Sequence, residues 1–228
     1  MKIAVFSDIH GNYEALKSII TDIKKRKIDQ IICLGDVIGL GPSSNECVKL
    51  INDNNIKLIL GNHELYYKGI FKSKEEDANH DEWIKSTIKE KIDGKEKYVI
   101  NINDIKVLFI HYFYKSKNSY ESFHLFDEDY KQVLDKLQYN YVFYGHLHTF
   151  RKDKINNKYY YCLDSSGCLK DDKTFYYIIT INDKVKLDKI TLKYDRDSFI
   201  NKLNSVDYPD RDEIALKFYD LKIKDVNN

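Results

Sequence analysis

Proline and glycine are scarce in this chain, with two and nine in 228 residues, so each is informative about where the backbone turns. Cysteine is scarce as well. The four cysteines, Cys33, Cys47, Cys162 and Cys168, show no CxxC spacing, and they are read as reduced, partly buried thiols rather than a disulfide framework. No apolar run approaches the ~18 residues of a membrane span. The apolar start is interrupted by Asp8 and His10 before a signal-peptide core is complete, so a cytoplasmic protein with no membrane association is expected. An excess of one charge is missing as well. The net charge of +1 provides no global field towards nucleic acid or anionic lipid, and no strong nucleic-acid signal is present. Also absent are a GxSxG elbow, a P-loop and a cysteine-phosphatase motif, which fits a chemistry in which the chain need not supply a nucleophile of its own.

What remains is globular in character, with 43% hydrophobic and 32% charged residues. A chain of this length buries about two-thirds or more of its unfolded surface without covalent staples. It is read as a single domain over residues 1–228, with no repeat and no low-complexity linker. Residues 2–7 form a short apolar run typical of a buried strand, and Asn12 is placed to cap a helix with Leu16, Ile19, Ile20 and Ile23 on one face. A second strand, 30–34, leads to Gly35-Asp36. A helix capped by Ser43 or Ser44 runs to about Asp53, and a third strand, 57–60, delivers Gly61-Asn62-His63-Glu64. This alternation predicts a parallel α/β core whose strand ends meet along one edge, where ligands bind in such sheets.

Residues 65–97 differ in being polar and mainly helical in pattern, with Trp83, Ile84, Ile88 and Ile92 as an inward stripe. They read either as an insertion flanking the site or as a plain packing helix. Paired strands are predicted at 98–102 and 105–110, then a helix at 126–138 and a strand at 141–144. Mostly antiparallel strands follow at 158–163, 174–182 and 184–194, and short helices at 198–204 and 211–220.

Seven positions at strand ends can coordinate metal: Asp8, His10, Asp36, Asn62, His111, His146 and His148. Of seven histidines, only His80 and His124 fall away from such ends. Mixed imidazole and carboxylate donors suit Mn, Fe, Zn, Ni or Co better than Mg or Ca. Seven ligands exceed what one tetrahedral ion needs, but they suffice for two divalent ions about 3.5–4 Å apart that share a carboxylate and a water. Asp36, from the central strand, is the natural bridge.

The segments Asp8-Ile9-His10, Gly35-Asp36 with Gly41-Pro42, Gly61-Asn62-His63-Glu64, His111 and Gly145-His146-Leu147-His148 resemble, in order and spacing, the five-block signature of calcineurin-like metallophosphoesterases. The stretch from Leu34 to Ile51 further resembles the small prokaryotic phosphodiesterase branch. The resemblance implies an α/β fold, a four-layer α/β/β/α sandwich of two mixed sheets. It implies a first metal on Asp8, His10 and His148, a second on Asn62, His111 and His146, and Asp36 between them. It also implies His63 as the acid acting on the leaving oxygen. Manganese is the expected metal. Leu163 to Gly167 stands where many relatives have an Asn-Pro-Gly-Ser-like turn, a departure that leaves substrate contacts there open.

The expected function is hydrolysis of small-molecule or nucleotide phosphodiesters by a hydroxide held between the metals. The alternatives are a phosphomonoesterase, a phosphoprotein phosphatase, or a scaffold that keeps the fold without turnover. Glu64 reads either as a hydrogen-bond partner of His63 or a metal ligand, or as a solvated carboxylate at a helix start. Tyr66, Tyr67, Phe71, Tyr112, Phe113 and Tyr114 read either as base-stacking groups or as surface packing.

Overall fold

Alternation along β1 (Lys2–Phe6) decides which way each layer faces. Ile3 and Val5 join a core shared with a second sheet, whereas Ala4 and Phe6 join a core shared with helices. The computed structural model describes residues 1–72, 75–116, 119–122, 132 and 136–223. Its first sheet has five strands in the order β12-β11-β1-β2-β3, adding β2 (Gln30–Cys33), β3 (Lys57–Leu58), β11 (Lys173–Ile181) and β12 (Val185–Lys193). β1, β2 and β3 are parallel, and β11 runs antiparallel to both β1 and β12.

The second sheet has the order β4-β5-β8-β10-β9, from β4 (Lys97–Ile102), β5 (Ile105–Ile110), β8 (Tyr141–Tyr144), β9 (Arg151–Ile155) and β10 (Lys158–Cys162). β5, β8 and β10 are parallel, while β4 and β9 close the edges antiparallel. Two mixed sheets face each other, as expected for the α/β sandwich. β9, and the small hairpin of β6 (Tyr114–Ser116) and β7 (Ser119–Ser122), had no counterpart in the sequence reading. β9 has the residues Arg151-Lys152-Asp153-Lys154-Ile155, whose half-exposed edge position gives no apolar run to detect.

Two helices cover the outer face of the first sheet. α1 (Tyr13–Ile23) places Leu16, Ile19, Ile20 and Ile23 in the core, and the Asn12 side chain accepts from the Ala15 N–H at 3.1 Å, the expected cap. α2 (Ser44–Asp53) adds Cys47, Val48 and Ile51. Burying one such side chain contributes about 1.5–3 kcal/mol. α3 (Asn62–Tyr67), a 3-10 turn (Glu75–Asp77) and α4 (Ala78–Thr87) follow. The segment 65–97 is therefore only partly helical. Ile84, Ile88 and Ile92 are buried as expected, but Ile88 and Ile92 lie beyond the helix end. The Asn45 side chain accepts from the Lys89 and Glu90 N–H groups at 2.7 and 3.1 Å, replacing the carbonyls a longer helix would have offered.

The predicted helix 126–138 falls largely outside the described residues. α5 (Arg196–Ser205) and α6 (Arg211–Tyr219) close the chain around a third core of Phe199, Leu203, Tyr208, Ile214 and Tyr219. All four cysteines are free thiols, and no helix among the described residues is long and apolar enough to cross a membrane.

Candidate metal centre

The seven strand-end positions share one edge of the sandwich. Asp8 follows β1, Asp36 follows β2, Asn62 opens α3 after β3, His111 follows β5, and His146 and His148 follow β8. Five of these residues hold left-handed backbone: Asp8 (φ 55°), His10 (48°), Asp36 (51°), His146 (72°) and His148 (53°). Side chains other than glycine avoid this region, so the surroundings must impose it. They do so through backbone ties. The Asp8 N–H donates to Gly35 O at 3.0 Å, His10 N–H to Asp36 O at 2.9 Å, and Gly145 N–H to His111 O at 2.9 Å. Ser165 Oγ donates to Asp8 O at 2.7 Å, and Gly167 N–H to the same oxygen at 3.1 Å. The unusual 163–167 turn thus braces the end of β1.

The side chains converge in two groups. In one, His10 Nε2 and His148 Nε2 face each other at 2.9 Å, with Asp8 Oδ1 at 3.8 Å from the first and 3.5 Å from the second. In the other, Asn62 Oδ1 lies 3.2 Å from His111 Nε2 and 2.9 Å from His146 Nδ1. Asp36 Oδ2 stands between them, 3.8 Å from His10 Nε2 and 3.3 Å from His111 Nε2. His111 Nδ1 donates to Leu34 O at 2.8 Å, which fixes the ring and aims Nε2 inward. His63 sits at the rim. Its ring centroid is 5.0 Å from that of His10, and its N–H donates to Asp36 Oδ1 at 3.0 Å. The donor atoms of His10, Asp36 and His63, those of Asp36, His111 and His146, and those of His10, His148 and Cys168 are each close enough to hold an ion. Every candidate named from the sequence is in this constellation.

Charge is tightly coupled here. Burial alone would raise the Asp8 carboxyl pKa, but His148, and then His111, hold it at about 2. Burial likewise opposes ionisation of Asp36, yet the His111 charge keeps it well below the usual carboxylate range. Burial would lower His111, but Asp36 outweighs it and raises the imidazole to about 9. Burial pushes His10 well below its ordinary value. Burial and the His111 charge bring His146 to about 4.

Glu64 has neither role considered for it. It is fully buried, and its oxygens accept four backbone N–H groups. Oε1 takes Val37 at 2.8 Å and Ile38 at 3.3 Å, and Oε2 takes Asp36 at 2.9 Å and Gly61 at 2.8 Å. It clamps the loop carrying Asp36 to the one carrying Asn62. Cys168 and Tyr219 were not anticipated near the centre. The Tyr219 hydroxyl donates to His10 O at 3.4 Å, and nothing at Cys168 or in α6 marks them in the sequence as neighbours of His10 and His148. Of the aromatic candidates, Phe71 and Tyr112 are buried in packing, while Tyr66 lies with its ring centroid 6.0 Å from that of His63. The Tyr114 side chain lies outside the described residues.

The family model described as calcineurin-like phosphoesterase matches residues 1–150. An uncharacterized protein of Methanocaldococcus jannaschii is 55% identical over 62 residues, which are 27% of this chain and 26% of that one. A protein of Erwinia tasmaniensis named symmetrical bis(5'-nucleosyl)-tetraphosphatase is 33% identical over 88 residues, 36% of this chain and 32% of its own. The chain therefore covers a third or less of the length of these two relatives. The solved metallophosphoesterase of Sphaerobacter thermophilus superposes with a TM-score of 0.70 at 18% identity, over 94% of this chain and 99% of that one. At that identity the likeness is one of fold.

Proposed function

Because the chain belongs to the calcineurin-like phosphoesterase family, we propose that it hydrolyses phosphodiesters of small molecules or nucleotides with the help of two divalent ions. The observation that carries this reading is the position of Asp36 Oδ2, within 4 Å of an imidazole from each of the two donor groups. The donor chemistry fits: opposed imidazole nitrogens and carboxylate oxygens, drawn together in a buried pocket, suit borderline divalent cations. Asp8, His10 and His148 would hold one ion and Asn62, His111 and His146 the other, with Asp36 contributing to both. Manganese is the proposed metal, with Fe, Zn, Ni or Co as alternatives. When bound, such ions supply a water acidic enough to be hydroxide near neutral pH, and positive charge for the phosphoryl oxygens.

The chain does the rest. Glu64 fixes the two loops that carry Asp36 and Asn62, and the Leu34 carbonyl orients His111. His63, at the rim and tied through its N–H to Asp36, is placed to give a proton to the departing oxygen. The chain is read as one catalytic unit, because both sheets supply site residues. Its four free thiols agree with a reducing cytoplasmic setting.

The test is hydrolysis of bis(p-nitrophenyl) phosphate with Mn²⁺ added. Asp36→Ala and His111→Ala are expected to abolish metal-dependent turnover. His63→Ala is expected to retain its metal and lose about 10²–10⁴-fold in rate on a poor leaving group. Full activity after chelation would end the proposal, and wild-type turnover by His63→Ala would remove the acid role.

A further inference from the structure

Cys168 stands apart from the other three cysteines. Cys33, Cys47 and Cys162 are fully buried, whereas Cys168 is half-buried and borders the candidate centre. One donor atom each from Cys168, His10 and His148 lies within 4.8 Å of the other two. The thiol has the His148 ring and the Tyr219 hydroxyl as hydrogen-bond partners. The ligand set proposed above leaves it without a role.

The backbone that delivers this thiol is pinned to the end of β1. Asn12 Nδ2 donates to Gly167 O at 2.8 Å, and the Gly167 N–H donates to Asp8 O at 3.1 Å. Ser165 Oγ donates to Asp8 O at 2.7 Å and accepts from the Cys168 N–H at 2.8 Å. At Gly167 a Cβ would overlap Ile9 O, so only glycine permits this approach. Cys168 is thus carried to the candidate ligands by fixed backbone rather than by a loose loop. The spacing of its neighbours suits an ion. Donors about 2.0–2.3 Å from one metal stand roughly 3–4 Å from each other. Asp8 Oδ1 is 3.5 Å from His148 Nε2 and 3.8 Å from His10 Nε2, and the thiol adds a donor to the same pair of rings.

We propose that Cys168 is a further ligand of the ion held by Asp8, His10 and His148, and that its thiolate makes this ion zinc rather than manganese. The proposal rests on the two-ion reading above and assigns one of its ions. Ligation breaks the S–H bond and forms a sulfur–metal bond, and the proton goes to solvent. Thiolate selects softer cations such as zinc, whereas carboxylate and carbonyl oxygens suit manganese. The other group, in which Asn62 Oδ1 faces His111 and His146, has an oxygen where this one has sulfur and gains no such bias.

The test titrates the chelator-stripped protein with Co²⁺, which takes zinc sites and whose thiolate complexes absorb strongly in the near ultraviolet. An intense sulfur-to-cobalt band that saturates with the first equivalent is expected, and Cys168→Ser is expected to abolish it. By calorimetric competition, Cys168→Ser is expected to lose about tenfold or more in zinc affinity and less than about threefold in manganese affinity. A second readout needs no variant. Zinc, but not manganese, is expected to protect Cys168 of the parent protein from alkylation by iodoacetamide, as read by mass spectrometry. A parent without the band, a band retained by Cys168→Ser, or no protection by zinc would overturn the proposal. So would equal losses of zinc and manganese affinity, which would make Cys168 a hydrogen-bond partner that positions His148. None of these readouts uses turnover. Failure to hydrolyse bis(p-nitrophenyl) phosphate would remove the phosphodiesterase reading alone, with the cobalt spectrum still deciding the ligand.

Discussion

Replacing Glu64 with glutamine tests whether the centre is held by a clamp or by metal. The side chain keeps its shape, but one of its two oxygens becomes an NH₂ group that cannot accept. In either orientation, two of the four backbone donors on Asp36, Val37, Ile38 and Gly61 then face another donor. A buried donor left without a partner costs about 1–3 kcal/mol, so the gross loss is roughly 2–6 kcal/mol. Part of it is offset. Burial and the nearby Asp36 charge raise the Glu64 pKa, which means the ionised form is already strained there, and an uncharged side chain relieves that strain. A net loss of about 2–4 kcal/mol is expected. For a chain of this size, that lowers Tm by roughly 4–16 °C.

The assay is a calorimetric or circular-dichroism melt of Glu64→Gln beside the parent protein, each with and without chelator. A clamp acts on the backbone whether or not ions are present, so the difference in Tm is expected to persist after chelation. A metal ligand would act through the bound ion, and its loss would show only in the loaded protein. A Glu64→Gln variant that melts within 2 °C of the chelated parent would refute the clamp.

Two further outcomes follow from the same geometry. Gly61→Ala would drive a methyl group into the Asp36 carboxylate and its backbone N, with no flexible neighbour to yield, so a loss of about 1–3 kcal/mol or more is expected in the same melts. Metal uptake should release protons. Asp36 raises His111 to about 9 against the effect of burial, and Asp8 and Cys168 hold His148 well above its usual value, so both carry protons at pH 7 in the metal-free protein. Ligation requires neutral imidazole, so affinity is expected to rise with pH and the proton release to diminish as pH passes through about 9. Calorimetric titration in buffers of different ionisation enthalpy measures the release, and identical heats in all of them would contradict it.

The parts of the fold legible in the sequence were those whose physics is local. The run Lys2–Phe6, the cap at Asn12 and the stripe of Leu16, Ile19, Ile20 and Ile23 depend on periodicity within a few residues, and the structure keeps them nearly unchanged. The candidate ligands were legible because each directly follows a strand, and parallel strands deliver their ends to one edge. What escaped depends on distant partners. Glu64 reads in the sequence either as a partner of His63 or a metal ligand or as a solvated carboxylate, because nothing in its neighbourhood reveals that Val37 and Ile38 present their N–H groups to it. The end of α4 escaped for the same reason, since the acceptor that replaces its next turn is Asn45, more than 40 residues earlier.

This division explains how the centre can be exact in geometry while built from costly conformations. Five candidate ligand positions in left-handed backbone, and carboxylates buried beside each other, all work against folding when taken singly. The compensation comes from backbone hydrogen bonds that cross between loops: Asp8 to Gly35, His10 to Asp36, Gly145 to His111, and the four that end on Glu64. Each of those bonds ties neighbouring strand ends within one sheet, and the His146 N–H, donating to Asp8 Oδ2 at 3.1 Å, ties the two sheets together. The donor atoms therefore meet as a consequence of folding. Ions bound as proposed would offset the repulsion among the carboxylates, and the backbone bonds would spare that binding the cost of ordering the loops.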